Sequence, residues 1–477
     1  MKSTQIEFKT KFRKFGLILL IIATIFFFLP NKTYATSGSI YTIQNNAGQL
    51  PWYPPVGSNG RQVARDSAGN LYAVYQNEGA GSNLNIFLAK STDEGQTWTP
   101  QAVTTDANYM QQIPSIAIDS HDNLHVVWDG ATADSLVNHQ IRYREYTNGV
   151  WQPIVELTTD ANNYQYGTAL AIDSQDNLHV VWGGGTADSL GNINIRYREY
   201  TNGVWQPIVE LTTDAVNYQE TPSIAIDSSD NIHVVWDGNT DDFPVLNQIR
   251  YREYTNGSWQ PIVELTTAAV YKQYFPSIAI DSHDNLHVVW EIHHGNNQIA
   301  YREYTNGSWQ LIYQFTPDGG PLQAAPSIAI DSHDNLHVVW IGYVVGLDNQ
   351  QIRYDEYTDG SWQTVANLTF SENIQINPNI IWAEWPKICG AQTNVPKDGF
   401  FAIWSESIGP VGSGTAFNAK DFVSSDLAWQ SQSCPAPTPP PAPTPTLTNN
   451  NDLTILPQTG ANLLPGQLQS IFGPFFF

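Results

Sequence analysis

The chain has 477 residues, with 45 Asp and Glu against 21 Lys and Arg, and a formal charge of −24. A surface of that sign repels nucleic acid and anionic lipid, so neither is expected as a partner. The charges are scattered rather than run together, which speaks for a soluble surface over an acidic interaction tail.

Residues 1–35 have the pattern of a secretory leader. Lys2, Lys9, Lys11, Arg13 and Lys14 precede an apolar run from Gly16 to Leu29, and Thr33-Tyr34-Ala35 forms a small-residue exit, with cleavage expected after Ala35. The apolar run is shorter than the roughly 20 residues of a membrane span, which makes an uncleaved anchor the weaker alternative. In either case the remainder is exported. Within the following segment, 36–60, "SIYTIQ" at 39–44 can supply a strand that closes a ring.

Residues 61–433 are repetitive. "PSIAIDSHDNLHVVW" at 114–128 returns letter for letter at 276–290 and 326–340, with altered copies at 168–182 and 222–236. Each copy carries four strand-like segments, for instance "SIAID", "LHVVW", "QIRYREYT" and "PIVELTT", with "DSHDN" and "TNG" as turns between them. The Asn148-Gly149 step suits a tight hairpin that needs positive φ. One tryptophan recurs at Trp98, Trp151, Trp205, Trp259, Trp309, Trp362 and, more loosely, Trp429. A four-stranded sheet cannot bury both faces alone, so copies of this length pack around an axis. The expected fold is all-β: a seven-bladed β-propeller of four-stranded antiparallel blades, with six blades as the alternative.

The first copy contains "STDEGQTW" at 91–98. Ser91, Asp93, Gly95, Thr97 and Trp98 match the Asp box position by position, and the chain resembles the BNR-repeat propellers of the sialidase-like superfamily. The resemblance implies a structural hairpin, its Asp bonded to turn backbone and its Trp packed between sheets. It also brings sialidase chemistry into view, with a Tyr nucleophile, carboxylate assistance and an arginine cluster. Here the arginines of "RYRE", such as Arg142 and Arg144, repeat in equivalent positions and look like cross-strand partners of acids.

In a meander the turns alternate between the two faces of the ring. "DSHDN" and "YTNG" hardly vary on one face, whereas the other carries "DGATADSLVNH", "GGGTADSLGNI", "DGNTDDFPVLN", "EIHHGNN" and "IGYVVGLDN". A ligand surface is expected on the variable face. Its candidate residues are Tyr109, Tyr164, Tyr218 and Tyr271 for stacking on sugar rings, with Asp129, Asp134, Asp188, Asp237, Asp241, Asp242, Glu291, His293 and His294 for polar contacts. His125, His179, His233, His287 and His337 recur in one strand register and are expected to pack rather than bind metal, and Trp128, Trp182, Trp236 and Trp290 to sit between blades. The Asp pairs of "DSHDN" permit a structural Ca²⁺, but an Asx turn explains them with fewer assumptions. No cofactor, metal or catalytic residue is assigned.

Cys389 and Cys434 can pair in an oxidising compartment or stay as two buried thiols. Residues 434–455 form a Pro/Thr-rich extended linker. At 456–477 the chain opens with "LPQTG", where it resembles sortase-anchored surface proteins of Gram-positive-type cell walls. The resemblance implies that Leu456, Pro457, Gln458, Thr459 and Gly460 are the sorting signal. It further implies cleavage between Thr459 and Gly460 by a sortase, with transfer to peptidoglycan. The tail "ANLLPGQLQSIFGPFFF" departs from that pattern in being short, interrupted by prolines and without Lys or Arg.

The combined reading is a monomeric, exported module at the cell wall or cell surface, or released from it, that binds a glycan or surface protein without catalysis. A sialidase-like exo-glycosidase is the alternative, and a passive structural module the second. Close repetition argues against an active site, which needs unlike residues converging from different blades.

Overall fold

The computed structural model describes residues 40–47, 61–369 apart from 79–82, 161, 187–191, 215, 268–269, 294, 296, 317–321 and 344–348, then 375–384, 398–407 and 415–423. The chain divides into a unit of Met1–Trp429 and a second of Gln430–Phe477. The expected leader, linker and sorting signal, Cys389, Cys434 and Trp429 lie outside the described residues.

Every described sheet is antiparallel, and together they form an all-β propeller. Six blades are each cut from one contiguous stretch. The first uses Val63–Arg65, Leu71–Glu78, Leu84–Ser91 and Thr99–Ala102. The second starts at Gln111–Ile118, the third at Gln165–Ile172, the fourth at Gln219–Ile226, the fifth at Lys272–Ile280 and the sixth at Gln323–Ile330. A further, composite sheet takes Ile40–Ala47 from the start of the chain beside Thr415–Val423, Asp398–Ser407 and Gln375–Glu384.

The expectation of seven blades is therefore corrected. Single-repeat blades number six, and the remaining sheet is assembled from both ends of the ring. The blades are four strands deep, as expected, and in the second to sixth the outermost position is split in two. Their outer strand is broken into two-residue pieces, such as Val150–Trp151 and Val155–Glu156. The break falls at Pro153 in the second blade, where proline removes the donor that a continuous ladder needs.

The core lies between blades. Val127, Ile141, Tyr143 and Leu157 of the second blade pack on Leu170, Leu178, Val180 and Trp182 of the third, and the same set recurs round the ring. Trp128, Trp182, Trp236, Trp290 and Trp340 are fully buried, as expected of packing residues. The Trp128 indole N–H donates to the Gln111 carbonyl at 2.7 Å, so this large apolar ring leaves no polar atom unsatisfied. Closure follows the same rule: Phe401 and Ile403 of the composite sheet pack on Val63 and Leu71, while Ile380 and Ala402 pack on Ile352 and Leu368.

Candidate functional site

On the constant face the aspartates bind protein. Asp119 accepts the amides of His121 at 2.9 Å and Asn123 at 2.8 Å, the Asn123 side chain at 2.8 Å, and faces His125 Nε2 at 3.3 Å. Burial pushes Asp119 up, but those donors outweigh it and hold the carboxyl below its ordinary range. His125 Nδ1 meets the Tyr143 hydroxyl at 2.8 Å, and the pairing repeats at His179, His233, His287 and His337. Asp122, with φ of 62°, reaches the preceding blade, where it accepts Ser67 N at 2.8 Å and Ser67 Oγ at 2.6 Å. Among the described residues no cluster of acids, His or Cys could hold a metal ion.

The 91–98 hairpin is similarly self-contained. Asp93 accepts Ser91 Oγ and Thr97 N, each at 2.8 Å, and the Trp98 indole donates to Gly95 O at 2.8 Å. Trp98 lies 5.7 Å from the Phe401 ring, across the seam to the composite sheet.

The repeat arginines are committed within and between blades. Arg142 Nε donates to Glu156 at 2.9 Å and Nη1 to Gln111 at 2.9 Å, while Arg144 donates to Gln152 O at 2.6 Å and to Val103 O. They are part of the scaffold.

The variable face is different. In the second to sixth blades the innermost strand carries a bulge near its start, within which Ile113, Gly167, Thr221, Phe275 and Ala325 have φ between 47° and 69°. For β-branched Ile113 and Thr221 this is a strained backbone. Acids of the neighbouring blade hold it: Asp237 accepts Phe275 N at 3.3 Å, and Glu291 accepts Ala325 N at 3.1 Å. Asp129, Asp237 and Glu291 are accordingly buried. Burial raises Asp129 and brings Asp237 up to about 7, the latter helped by the nearby Glu220 charge.

One register before each bulge, the otherwise constant strand diverges to Gln112, Tyr166, Glu220, Tyr274 and Ala324. These residues form an arc over the second to sixth blades. Asp129 is 2.7 Å from His139 Nδ1 and accepts Gln112 Nε2 at 3.2 Å. Tyr164 stacks on His139 at 4.9 Å, and Tyr166 follows at 5.4 Å. The Tyr166 hydroxyl bonds Glu220, which stands directly across the ladder from Asp237. Burial raises the Glu220 carboxyl, against the pull of the Tyr166 hydrogen bond. Beyond lies Tyr274, edge-on to His293 at 4.7 Å, and His293 Nε2 is 2.5 Å from Glu291.

Of the expected site residues, the arc gathers Tyr164, Asp129, Asp237, Glu291 and His293. Tyr109 and Tyr271 are half-buried and Tyr218 exposed, in the loops between blades. Asp134, Asp241 and Asp242 are exposed in the varied loops, Asp241 accepting Asn217 Nδ2 at 3.0 Å. Asp188 and His294 lie outside the described residues. Tyr166, Glu220 and Tyr274 were not anticipated. Their signal is the one changing letter after the constant Gln111, Gln165, Gln219, Gln273 and Gln323, easily overlooked beside loops that change throughout.

No protein-family model matches the chain, and no curated protein does. Solved structures do. An ulvan lyase of polysaccharide lyase family PL25 aligns over 81% of this chain and 96% of its own, at 11% identity and a TM-score of 0.55. An α-L-arabinanase of Penicillium chrysogenum aligns over 70% and 99%, at 13% identity and a TM-score of 0.47. The intramolecular trans-sialidase of Ruminococcus gnavus aligns over 82% and 98%, at 9% identity and a TM-score of 0.44. At these identities the likeness is one of fold, and the chain is a β-propeller.

Proposed function

We propose that this protein is an exported, surface-held propeller that binds an uncharged or cationic glycan on its variable face. The observation that carries the reading is the arc of Tyr164, Tyr166, Glu220, Tyr274 and His293, half-buried or exposed and contributed by unlike residues of three successive blades. Aromatic rings stack on the apolar faces of sugars, and carboxylate and imidazole groups bond hydroxyls. The acids in the arc disfavour an anionic sugar, and the repeat arginines that could answer one are bonded within the scaffold. The Asp-box hairpin at 91–98 fits membership of the BNR-repeat propellers, and "LPQTG" at 456–460 fits attachment to peptidoglycan by a sortase.

The test is a glycan array probed with the purified protein. Retention of neutral or amino sugars supports the reading, and retention confined to sialylated or uronate glycans overturns it.

A second reading, glycoside cleavage, is favoured by the cross-strand carboxyls Glu220 and Asp237. Both are raised toward neutrality beside the Tyr166 hydroxyl, as a proton donor requires. Turnover of chromogenic arabinosides, glucosides or sialosides that is lost in Glu220→Gln would establish it in place of simple binding.

A further inference from the structure

From the first blade to the sixth, the residue that follows the buried aromatic of the second strand is Gln76, Asp129, Gly183, Asp237, Glu291 and Ile341. Four of these reach across the seam to a bulge amide of the next blade. Gln76 Oε1 accepts Ile113 N at 3.2 Å, Asp129 accepts Gly167 N, Asp237 accepts Phe275 N at 3.3 Å and Glu291 accepts Ala325 N at 3.1 Å. Gly183, in the third blade, has no side chain to send. Packing does not demand a glycine there: an added Cβ would meet a methyl of Ile193 at 3.1 Å, whereas at the adjacent Gly184 it would lie 1.9 Å from Gln165 Oε1.

The consequence falls on Tyr166, which stands directly across the ladder from Gly183 and on the same face of the sheet. Its ring is half-buried, and its hydroxyl bonds Glu220 of the fourth blade. The fifth blade supplies the comparison. Tyr274 holds the same register but stands across from Glu291. It stays with its own blade, bonded to Lys272 and edge-on to His293 at 4.7 Å. One tyrosine crosses its seam where the facing residue is glycine, and the other does not where an acid already fills the crossing. The next blade also differs, offering Glu220 to the first and Ala324 to the second, and a substitution at 183 alone separates the two causes.

We propose that Gly183 is a positioning residue of the ligand site. It leaves the third-to-fourth seam open for Tyr166 to lie across it onto Glu220, and the ring and carboxyl so paired seat one sugar of a neutral or amino glycan. The inference rests on the reading of the arc as a glycan site. A ring tied at its hydroxyl presents a fixed apolar face to a sugar, and a carboxyl with two oxygens keeps acceptor capacity for a sugar hydroxyl. At the seams after the second, fourth and fifth blades the corresponding acid is committed to the scaffold.

The experiment uses the intact protein. Gly183→Gln places at the third seam the side chain that Gln76 contributes at the first. Crystal structures should show the Tyr166 hydroxyl on Glu220 in the wild type and turned away from it in the variant. Affinity for the best array glycan, by calorimetric titration, should fall about tenfold or more. Gly183→Ala, which adds a Cβ and no acceptor, should stay within about threefold of the wild type. Three results each overturn the inference: Tyr166 still on Glu220 in Gly183→Gln, a loss of affinity short of tenfold, or an equal loss in Gly183→Ala. Should Gly183→Gln fail to fold, Gly183→Asp, on the pattern of Asp129, takes its place. A wild type that retains no glycan on the array refutes the reading of the arc instead, and the crystal structures still decide whether Gly183 positions Tyr166.

Discussion

Ser120 of the second blade donates its amide and its hydroxyl to the two oxygens of Asp176 in the third, at 2.8 Å and 2.7 Å. The same staple joins Ser174 to Asp230, Ser228 to Asp284 and Ser282 to Asp334. Each copy of "DSxDN" must supply a serine to the next blade and an aspartate to the previous one. The physical cause of the close repetition is this demand, because a copy that drifted would lose bonds at both of its sides.

Asp176→Ala should destabilise the ring by about 1 kcal/mol, a modest figure because the staple is solvent-exposed. The Ser120 amide, then its hydroxyl, lowers the Asp176 carboxyl, and Ser174 does the same for Asp230. A depressed folded value adds stability above the unfolded value of about 3.9 and loses it as the pH falls through the folded value. Melting curves from pH 5 down to pH 2 should show that loss, and Asp176→Ala should blunt it.

Asp237 has the opposite sign. Burial brings it up to about 7, so the folded state holds a proton that the unfolded chain has released. Its contribution is complete below about pH 4 and declines as the pH rises toward 7. Asp237→Asn, read by melting temperature against pH, should flatten the decline between those limits.

Gly95 is needed in the 91–98 hairpin, where φ is +83° and an added Cβ would lie 2.5 Å from Phe401 Cε2. Gly95→Ala should cost about 1–3 kcal/mol in chemical denaturation, with binding on the variable face unchanged.

Much of the scaffold was legible because a repeat exposes its own requirements. The strand histidines, the fully buried tryptophans and the Asn148-Gly149 turn, with φ of 51° and 80°, have the roles their register suggested. The composite sheet was harder to read. Its strands Gln375–Glu384, Asp398–Ser407 and Thr415–Val423 have lost the repeat's letters and keep only apolar packing positions such as Phe401 and Ile403. The site was legible in part. The variable loops pointed to the face that carries the arc, but Asp129, Asp237 and Glu291 also serve to hold strained bulges. Tyr166, Glu220 and Tyr274 sit at the start of a strand, where a scaffold role is the ordinary expectation.

The proposed attachment rests on "LPQTG" after the Pro/Thr-rich stretch. In a host with a matching sortase, Thr459→Ala should shift the protein from the wall fraction to the medium, measured by immunoblot. Equal release of the wild type would show that 461–477 does not support sorting.

The central claim is that the aromatic and acidic arc of the variable face is the ligand site, and calorimetric titration with the best array glycan tests it most directly. Tyr166→Ala with Tyr274→Ala should lower affinity more than tenfold, which is about 1.4 kcal/mol, with little change in melting temperature. His121→Ala, an exposed residue of the constant face, should leave affinity as it was. Affinity that survives loss of the two tyrosines, or falls with His121, would contradict the account and move the site to the other face.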